Sequence, residues 1–160
     1  MLHYARAILI VFMLLLMSSC TSVGEVRLDD KVDLKGTGKA LLKTDSENNH
    51  KLFVLFDERI FITRLDSKNL YRMGSTTEYP QALLIEPGEH TVNVQYLHAL
   101  QGTTTRVYAN AQLTFYAKLE GSYIVRKKIV GNRVGFWIED INTNEAIGTP
   151  ANISGDNIEP

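Results

Sequence analysis

The sequence has 160 residues, with 17 basic and 18 acidic side chains and a formal net charge of −1. A balance this close to neutral lacks the basic excess of nucleic-acid-binding proteins, so nucleic acid is not predicted as a partner. Cys20 is the only cysteine, which excludes an intramolecular disulfide and any site built from several thiolates.

Residues 1–19 have the pattern of a secretory signal peptide. Arg6 precedes the apolar run Ala7–Met17, and Ser18 and Ser19 are the small residues expected at a cleavage site. An apolar run of this length extends only about 16 Å as a helix, which is too short for a hydrocarbon core of about 30 Å. The pattern therefore predicts a removable signal peptide and not a permanent transmembrane helix.

The segment Met17–Cys20 (MSSC) resembles the lipobox of bacterial lipoproteins, although that family usually has Leu where Met17 stands. The resemblance implies that Cys20 is acylated, becomes the first residue of the mature chain and anchors it in a lipid membrane. Thr21 stands where Asp would signal inner-membrane retention, so the resemblance implies the outer membrane, on its periplasmic face by default. An ordinary signal peptide with cleavage nearby is the alternative.

Residues 20–37 are predicted to be a flexible tether after the lipidated cysteine. Thr21–Lys35 is polar, mixed in charge and without a sustained period, and Gly36 and Gly38 follow it. As a flexible coil, this segment would reach roughly 20 Å. The alternative is that part of Glu25–Leu34 pairs as a first strand.

Residues 38–149 are predicted to form one β domain, because short β-branched and aromatic runs alternate with turn residues and no long segment has a helical period. Asp57-Glu58 is predicted as a hairpin turn, Pro87-Gly88 as a type II turn, and residues 150–160 as a disordered tail. The principal predicted strands are Lys39–Thr44, Lys51–Phe56, Arg59–Leu65, Ala82–Glu86, His90–His98, Val107–Tyr116, Ser122–Val130, Val134–Ile141 and Glu145–Gly148.

The alternation of residue types along the later strands predicts which side chains share the buried face and which share the exposed face. Val107, Ala109, Ala111, Leu113 and Phe115 share one face, which is predicted to be the buried one. In the strand Val134–Ile141, Phe136 is predicted inside and Trp137 outside. The fold class predicted is all-β, an antiparallel β-sandwich of about seven or eight strands, with a small β-barrel as the alternative.

The runs PGEHTV, EGSYIV and FWIED resemble those of uncharacterised envelope lipoproteins with Ig-like or transthyretin-like sandwich domains, including the PEGA-type domains. The similarity covers about residues 39–148, and this chain departs from it at Asp57-Glu58, where such domains often have Asp-Gly. The resemblance implies a scaffold or binding role and supplies no catalytic residues.

Motifs for catalysis are missing from the sequence. Gly36–Lys39 does not complete a phosphate-binding loop, and neighbouring acids such as Asp57-Glu58 point to opposite faces of a strand. His50, His90 and His98 are predicted to be turn or surface histidines. We therefore predict that the protein is not an enzyme and has neither a metal site nor a cofactor.

Two groups of residues are candidates for binding a partner. Tyr108, Tyr116 and Trp137 fall on predicted outer faces, where exposed aromatic side chains favour an interface; burial under a loop or a second layer is the alternative. Arg126 and Lys128, with Lys127 and Arg133 nearby, form a basic patch that a solvated edge strand would also explain.

The function predicted from the sequence is a membrane-anchored envelope lipoprotein that acts as a non-catalytic protein-interaction or structural module. Its predicted partners are the membrane, through acylated Cys20, and another envelope protein. The alternatives are a domain that binds a small ligand, lipid or glycan, and a periplasmic enzyme inhibitor.

Overall fold

The computed structural model describes residues 23–27, 31–46, 56–71, 79–100, 106–131 and 133–154. The described residues form an all-β fold with ten strands and no helix. The strands are β1 (Gly24–Glu25), β2 (Ala40–Thr44), β3 (Phe56–Leu65), β4 (Lys68–Asn69), β5 (Ala82–Ile85), β6 (Gly88–Leu100), β7 (Arg106–Ala117), β8 (Ser122–Val130), β9 (Arg133–Asp140) and β10 (Glu145–Ser154).

All ten strands belong to one mixed sheet that curls into a half-barrel. Their order is β1-β5-β2-β8-β9-β10-β7-β6-β3-β4, and neighbouring strands are antiparallel except β2 and β8, which are parallel. The all-β prediction is confirmed. The predicted antiparallel sandwich of about seven or eight strands, Ig-like or transthyretin-like, is corrected, because β10 pairs with β7 and joins the two would-be layers into one sheet.

The link between the two halves of the sheet is a close crossing of β10 and β7. Thr149 pairs with Thr114, and the preceding Gly148 has a φ of +72°. The register of β10 against β9 shifts between Ile147 and Ala151, so a bulge redirects β10 towards β7. Because β10 continues to Ser154, regular structure extends past the predicted start of the tail at residue 150; residues 155–160 lie outside the described residues.

Alternate side chains of the long strands fill the concave side of the half-barrel. The predicted faces of β7 and β9 are confirmed where they are described, since Ala109, Leu113, Phe115 and Phe136 are all buried. Burying a large apolar side chain contributes about 1.5–3 kcal/mol, so this packed interior stabilises the curled sheet. The largest fully buried side chains are Tyr96, Tyr123, Phe136, Leu42, Ile60, Ile62, Leu83, Ile85, Leu113, Ile138, Val92 and Val94.

Asp57 and Glu58 do not form the predicted hairpin turn. Both residues lie inside β3, opposite Ala99 and His98 of β6. Residues 51–55, the other half of the predicted hairpin, lie outside the described residues. Glu58 is accommodated within the strand because Lys127 of β8 supplies an ion pair, with 2.9 Å between Nζ and Oε2.

Pro87 and Gly88 lie at a corner of the sheet and not in a hairpin. β5 pairs with β1 and β2, whereas β6 pairs with β3 and β7. The φ of Gly88 is +140°, far from the value of about +80° in a type II turn. His90 stabilises the corner: its Nε2 lies 2.7 Å from the carbonyl oxygen of Glu86 and its Nδ1 lies 3.0 Å from Asp66 Oδ2. His90 is buried, so its prediction as a turn or surface histidine is wrong.

The segment predicted as a tether contacts the domain over its described part. Gly24-Glu25 form β1 against β5, and Val23 packs against the core. Leu34 is buried, and the backbone N–H of Gly36 donates to Glu120 Oε1 at 2.6 Å. Of the alternative first strand within Glu25–Leu34, only Glu25 lies in a strand, and residues 28–30 lie outside the described residues, so the tether stays a prediction.

Candidate binding groove

The outer face of the β8–β9 hairpin carries most of the residues that the sequence singled out. Antiparallel pairing sets Arg126 opposite Trp137, Lys128 opposite Gly135, and Val130 opposite Arg133. Because Val134, Phe136 and Ile138 of β9 face the core, the alternate residues of β9 face outwards. The hairpin therefore presents cations, a tryptophan and a glycine on one surface.

A groove of about 420 Å³ lies on this surface, open to solvent. Gly135 is one of its lining residues, and as a glycine within a strand it has no side chain of its own to fill the groove. Trp137, which is half-buried, lines one part, and Pro150 from the bulge of β10 lines another. The lining residues are Lys128, Val130, Arg133, Gly135, Phe136, Trp137 and Pro150.

Lys128 and Arg133 place two positive charges at the groove. They are diagonal neighbours on facing strands, a placement in which side chains interact and like charges repel. Both are exposed, and neither makes an ion pair with any residue that the structure describes. The groove therefore has a positive potential that the domain's described acids do not neutralise locally.

The tip of the hairpin is apolar as well as cationic. Val130 is 63% exposed and Ile129 is 45% exposed, on opposite faces of β8. Large aliphatic side chains at an exposed turn gain free energy only when another surface covers them. Val130, which shares the outer face with Lys128, therefore extends the groove into a larger candidate contact surface, whereas Ile129 points to the other face.

Arg126 differs from Lys128 although both lie on the same face. Its Nη2 lies 3.0 Å from Glu139 Oε1 and its Nη1 lies 3.2 Å from Asp45 Oδ2. The hydrogen bond to Glu139 is the main cause that raises the pKa of Arg126, against the opposing effect of burial. Arg126 is thus neutralised within the fold and holds β2 and β9 to β8.

The remaining predicted site residues do not join the groove. Tyr116 is 65% exposed but pairs with Glu89 at the far end of β7. Tyr108 lies in β7 opposite Leu97, and its side chain lies outside the described residues. Cys20, the predicted lipidation site, also lies outside them. The structure therefore brings Lys128 and Trp137 together, with Arg133 added from the basic patch.

Lys127, the central residue of the predicted basic patch, faces the interior. Its Nζ pairs with Glu58 and lies 5.4 Å from the centroid of the Tyr96 ring. Burial, followed by the charge of Glu58 and a hydrogen bond to it, raises the pKa of Tyr96 well above its ordinary value. This cluster connects β8 with β3 and β6 across the concave side, which gives it a structural role.

Sequence reasoning missed Gly135 and Pro150 as lining residues. The signal for Gly135 was its position inside the strand Val134–Ile141, where glycine weakens a strand and often marks a close approach. Pro150 had no such signal, because its position depends on the bulge in β10. Within the described ranges, no group of three or more metal-ligating side chains is present, and no helix is long and apolar enough to cross a membrane.

The fold and the groove together define an all-β half-barrel domain with a cationic and aromatic groove on its outer face. Compared with known proteins, the chain matches no family model, no curated protein and no solved structure.

Proposed function

We propose that the chain is an exported bacterial lipoprotein, anchored in the outer membrane through acylated Cys20, whose β domain binds another envelope protein and catalyses no reaction. The anchor is supported by the sequence Ala7–Cys20, which combines a short apolar run with a lipobox-like end. That the β domain is related to PEGA-type envelope domains remains a prediction.

The binding role rests on one observation, the groove on the β8–β9 hairpin. Trp137 supplies a large aromatic surface, and Lys128 and Arg133 supply charge that has no described acidic partner. Tryptophan and arginine are the residue types that most often dominate the free energy of protein interfaces. The exposed aliphatic side chain of Val130 enlarges the same surface.

The position of the N-terminal segment determines how such a domain would be presented. Val23 packs against the core beside β5, and three residues further back Cys20 can lie no more than about 10 Å away. β8 begins at this end with Ser122 and ends at Val130, about 26 Å further along the strand. An anchor at Cys20 would therefore hold one end of the domain at the lipid surface and direct the groove away from it.

Cys20→Ser in the full-length chain tests the anchor. We expect the wild-type chain to incorporate labelled palmitate and to fractionate with outer membranes, and the variant to lose both properties while it retains the far-ultraviolet circular dichroism of a β protein. Unchanged membrane fractionation and labelling of Cys20→Ser would contradict the lipoprotein proposal.

A second candidate function is the binding of a small ligand, lipid or glycan in the same groove. Its volume of about 420 Å³ lies within the usual range of ligand pockets. An enzyme inhibitor that uses the hairpin tip is a variant of the protein-binding proposal. Native mass spectrometry of protein purified from its own envelope separates the two classes, because a small ligand adds a discrete mass of a few hundred daltons and a protein partner adds a whole chain.

A further inference from the structure

We propose that the groove binds an acidic peptide segment of the partner protein, in which one carboxylate contacts Lys128 and Arg133 and an apolar side chain lies over Gly135 against Trp137. This inference rests on the proposed binding function and adds the chemistry of the partner. It follows from the charge, the shape and the position of the groove.

The charge argument compares the four cations of the hairpin. Arg126 contacts Glu139 and Asp45, and Lys127 contacts Glu58, so two of the four are balanced within the fold. Lys128 and Arg133 are left as diagonal neighbours of like charge at the rim of the groove. A carboxylate from outside that contacts both would relieve their repulsion, so charge complementarity selects an acidic occupant.

The shape argument concerns the spacing along β9. Gly135 and Trp137 are two residues apart on the same face, a separation of about 6.7 Å. Side chains at positions i and i+2 of an extended peptide have the same spacing and also share a face. An acidic residue followed two positions later by an aromatic or aliphatic residue therefore fits the cations and Trp137 at the same time. The same two residues placed next to each other in sequence do not fit, because they point to opposite faces.

The position and openness of the groove favour a protein segment over the other occupants. Small-molecule sites enclose most of their ligand, whereas this groove is open to solvent. A lipid surface would have to approach the hairpin tip, which is the end of β8 opposite the N-terminal segment. An extended acidic segment can bind in an open groove, and it can reach this end of the domain without contact with the anchoring membrane.

Trp137 is the only tryptophan in the chain, so its fluorescence reports on the groove alone. The probe is a blocked peptide with the sequence Gly-Glu-Ser-Phe-Gly, titrated into the full-length chain in dodecyl maltoside with excitation at a wavelength that phenylalanine does not absorb. One comparison peptide replaces the glutamate with glutamine. A second, Gly-Glu-Phe-Ser-Gly, places the acid and the ring on opposite faces.

We expect a saturable change in Trp137 emission and an affinity about fivefold higher for the first peptide than for either comparison peptide. A difference of this size corresponds to the free energy that an exposed ion pair contributes. The double variant Lys128→Ala and Arg133→Ala should lose this preference. Lys68→Ala, at an exposed lysine of β4, is the matched control and should retain it.

Equal affinities for the glutamate and glutamine peptides, or a preference that survives the double variant, would overturn the inference. Saturable binding of phosphatidylglycerol vesicles through Lys128 and Arg133, in place of the peptide, would overturn it by assigning a lipid occupant. A failure of either kind is distinguishable from failure of the proposed function, because a protein cross-linked to position 137 in cells would still identify the groove as a protein-binding site.

Discussion

Thr149 of β10 pairs with Thr114 of β7, and this pairing joins the two halves of the sheet into one. The strands approach closely there because Gly148 has no side chain: a Cβ at this position would overlap the carbonyl oxygen of Thr114 and lie 2.9 Å from Phe115 Cβ. The groove depends on the same crossing, since Pro150 lines it from the adjacent bulge.

Gly148→Ala should therefore lower the free energy of unfolding by about 2–4 kcal/mol, through the unfavourable positive φ and the overlap with β7. Urea unfolding followed by Trp137 fluorescence measures the change. Gly131→Ala is the matched control, because Gly131 also has a positive φ, +60°, but a methyl group there would meet no atom of a non-adjacent residue within 4 Å. It should cost only about 1 kcal/mol, and equal effects of the two substitutions would contradict the role of the crossing.

Asp66 is expected to stabilise the corner at Pro87-Gly88 through its carboxylate. Its Oδ1 accepts from the backbone N–H of Thr91 at 3.0 Å, and its Oδ2 contacts buried His90. Asp66→Gly keeps the positive φ of 54° accessible but removes both contacts, and should cost about 1–2 kcal/mol in the same unfolding assay. Asn144→Gly, at an exposed turn residue with φ of 58°, should stay within about 0.5 kcal/mol of wild type.

Tyr96 should make the protein less stable at alkaline pH. Its pKa in the folded state is raised by burial and by Glu58, so the folded state retains a proton that the unfolded chain releases above about pH 10. The stabilising effect is fully present below that pH and is lost as pH rises through the folded-state pKa. Unfolding free energies at pH 8, 10 and 11 should fall less steeply for Tyr96→Phe than for wild type; equal slopes would contradict this assignment.

Neighbouring lysines of β8 should respond in opposite ways to charge reversal. Lys128→Glu places an acid diagonal to Arg133, so the free energy of unfolding should be unchanged or rise by up to about 0.5 kcal/mol. Lys127→Glu instead places an acid beside Glu58 on the core side, and should cost about 1–3 kcal/mol. The result is read from thermal and urea unfolding, and a strong loss of stability in Lys128→Glu would show that its charge serves the fold and not a partner.

Local patterns in the sequence predicted the faces of the long strands but not how those strands pair. The alternation of Phe136 and Trp137 placed one inside and the other outside, as the structure has them. Asp57-Glu58 was mistaken for a turn because the partner of Glu58, Lys127, lies in a distant strand. Pro87-Gly88 has the composition of a hairpin turn, yet β5 and β6 pair with different strands. Pairing between strands that are distant in sequence cannot be recognised from a short stretch of residues.

The groove was predictable only in part for the same reason. Trp137 and Lys128 were identified from residue type and strand parity, and their proximity follows from the hairpin register. Arg126 could not be distinguished from Lys128, because its partners are distant in sequence: Asp45 directly follows β2, and Glu139 lies in β9. Gly135 and Pro150 acquire their role from the register and from the bulge in β10.

The most direct test of the central claim is photo-cross-linking in cells, with p-benzoylphenylalanine placed singly at position 137 in the groove or at position 119. Leu119 is 62% exposed in the turn before β8, at the same end of the domain as β1. We predict a discrete protein adduct from position 137 and none of the same mass from position 119. A protein adduct from position 119 alone, or adducts with lipid alone from position 137, would contradict the proposal that the groove binds a protein partner away from the membrane.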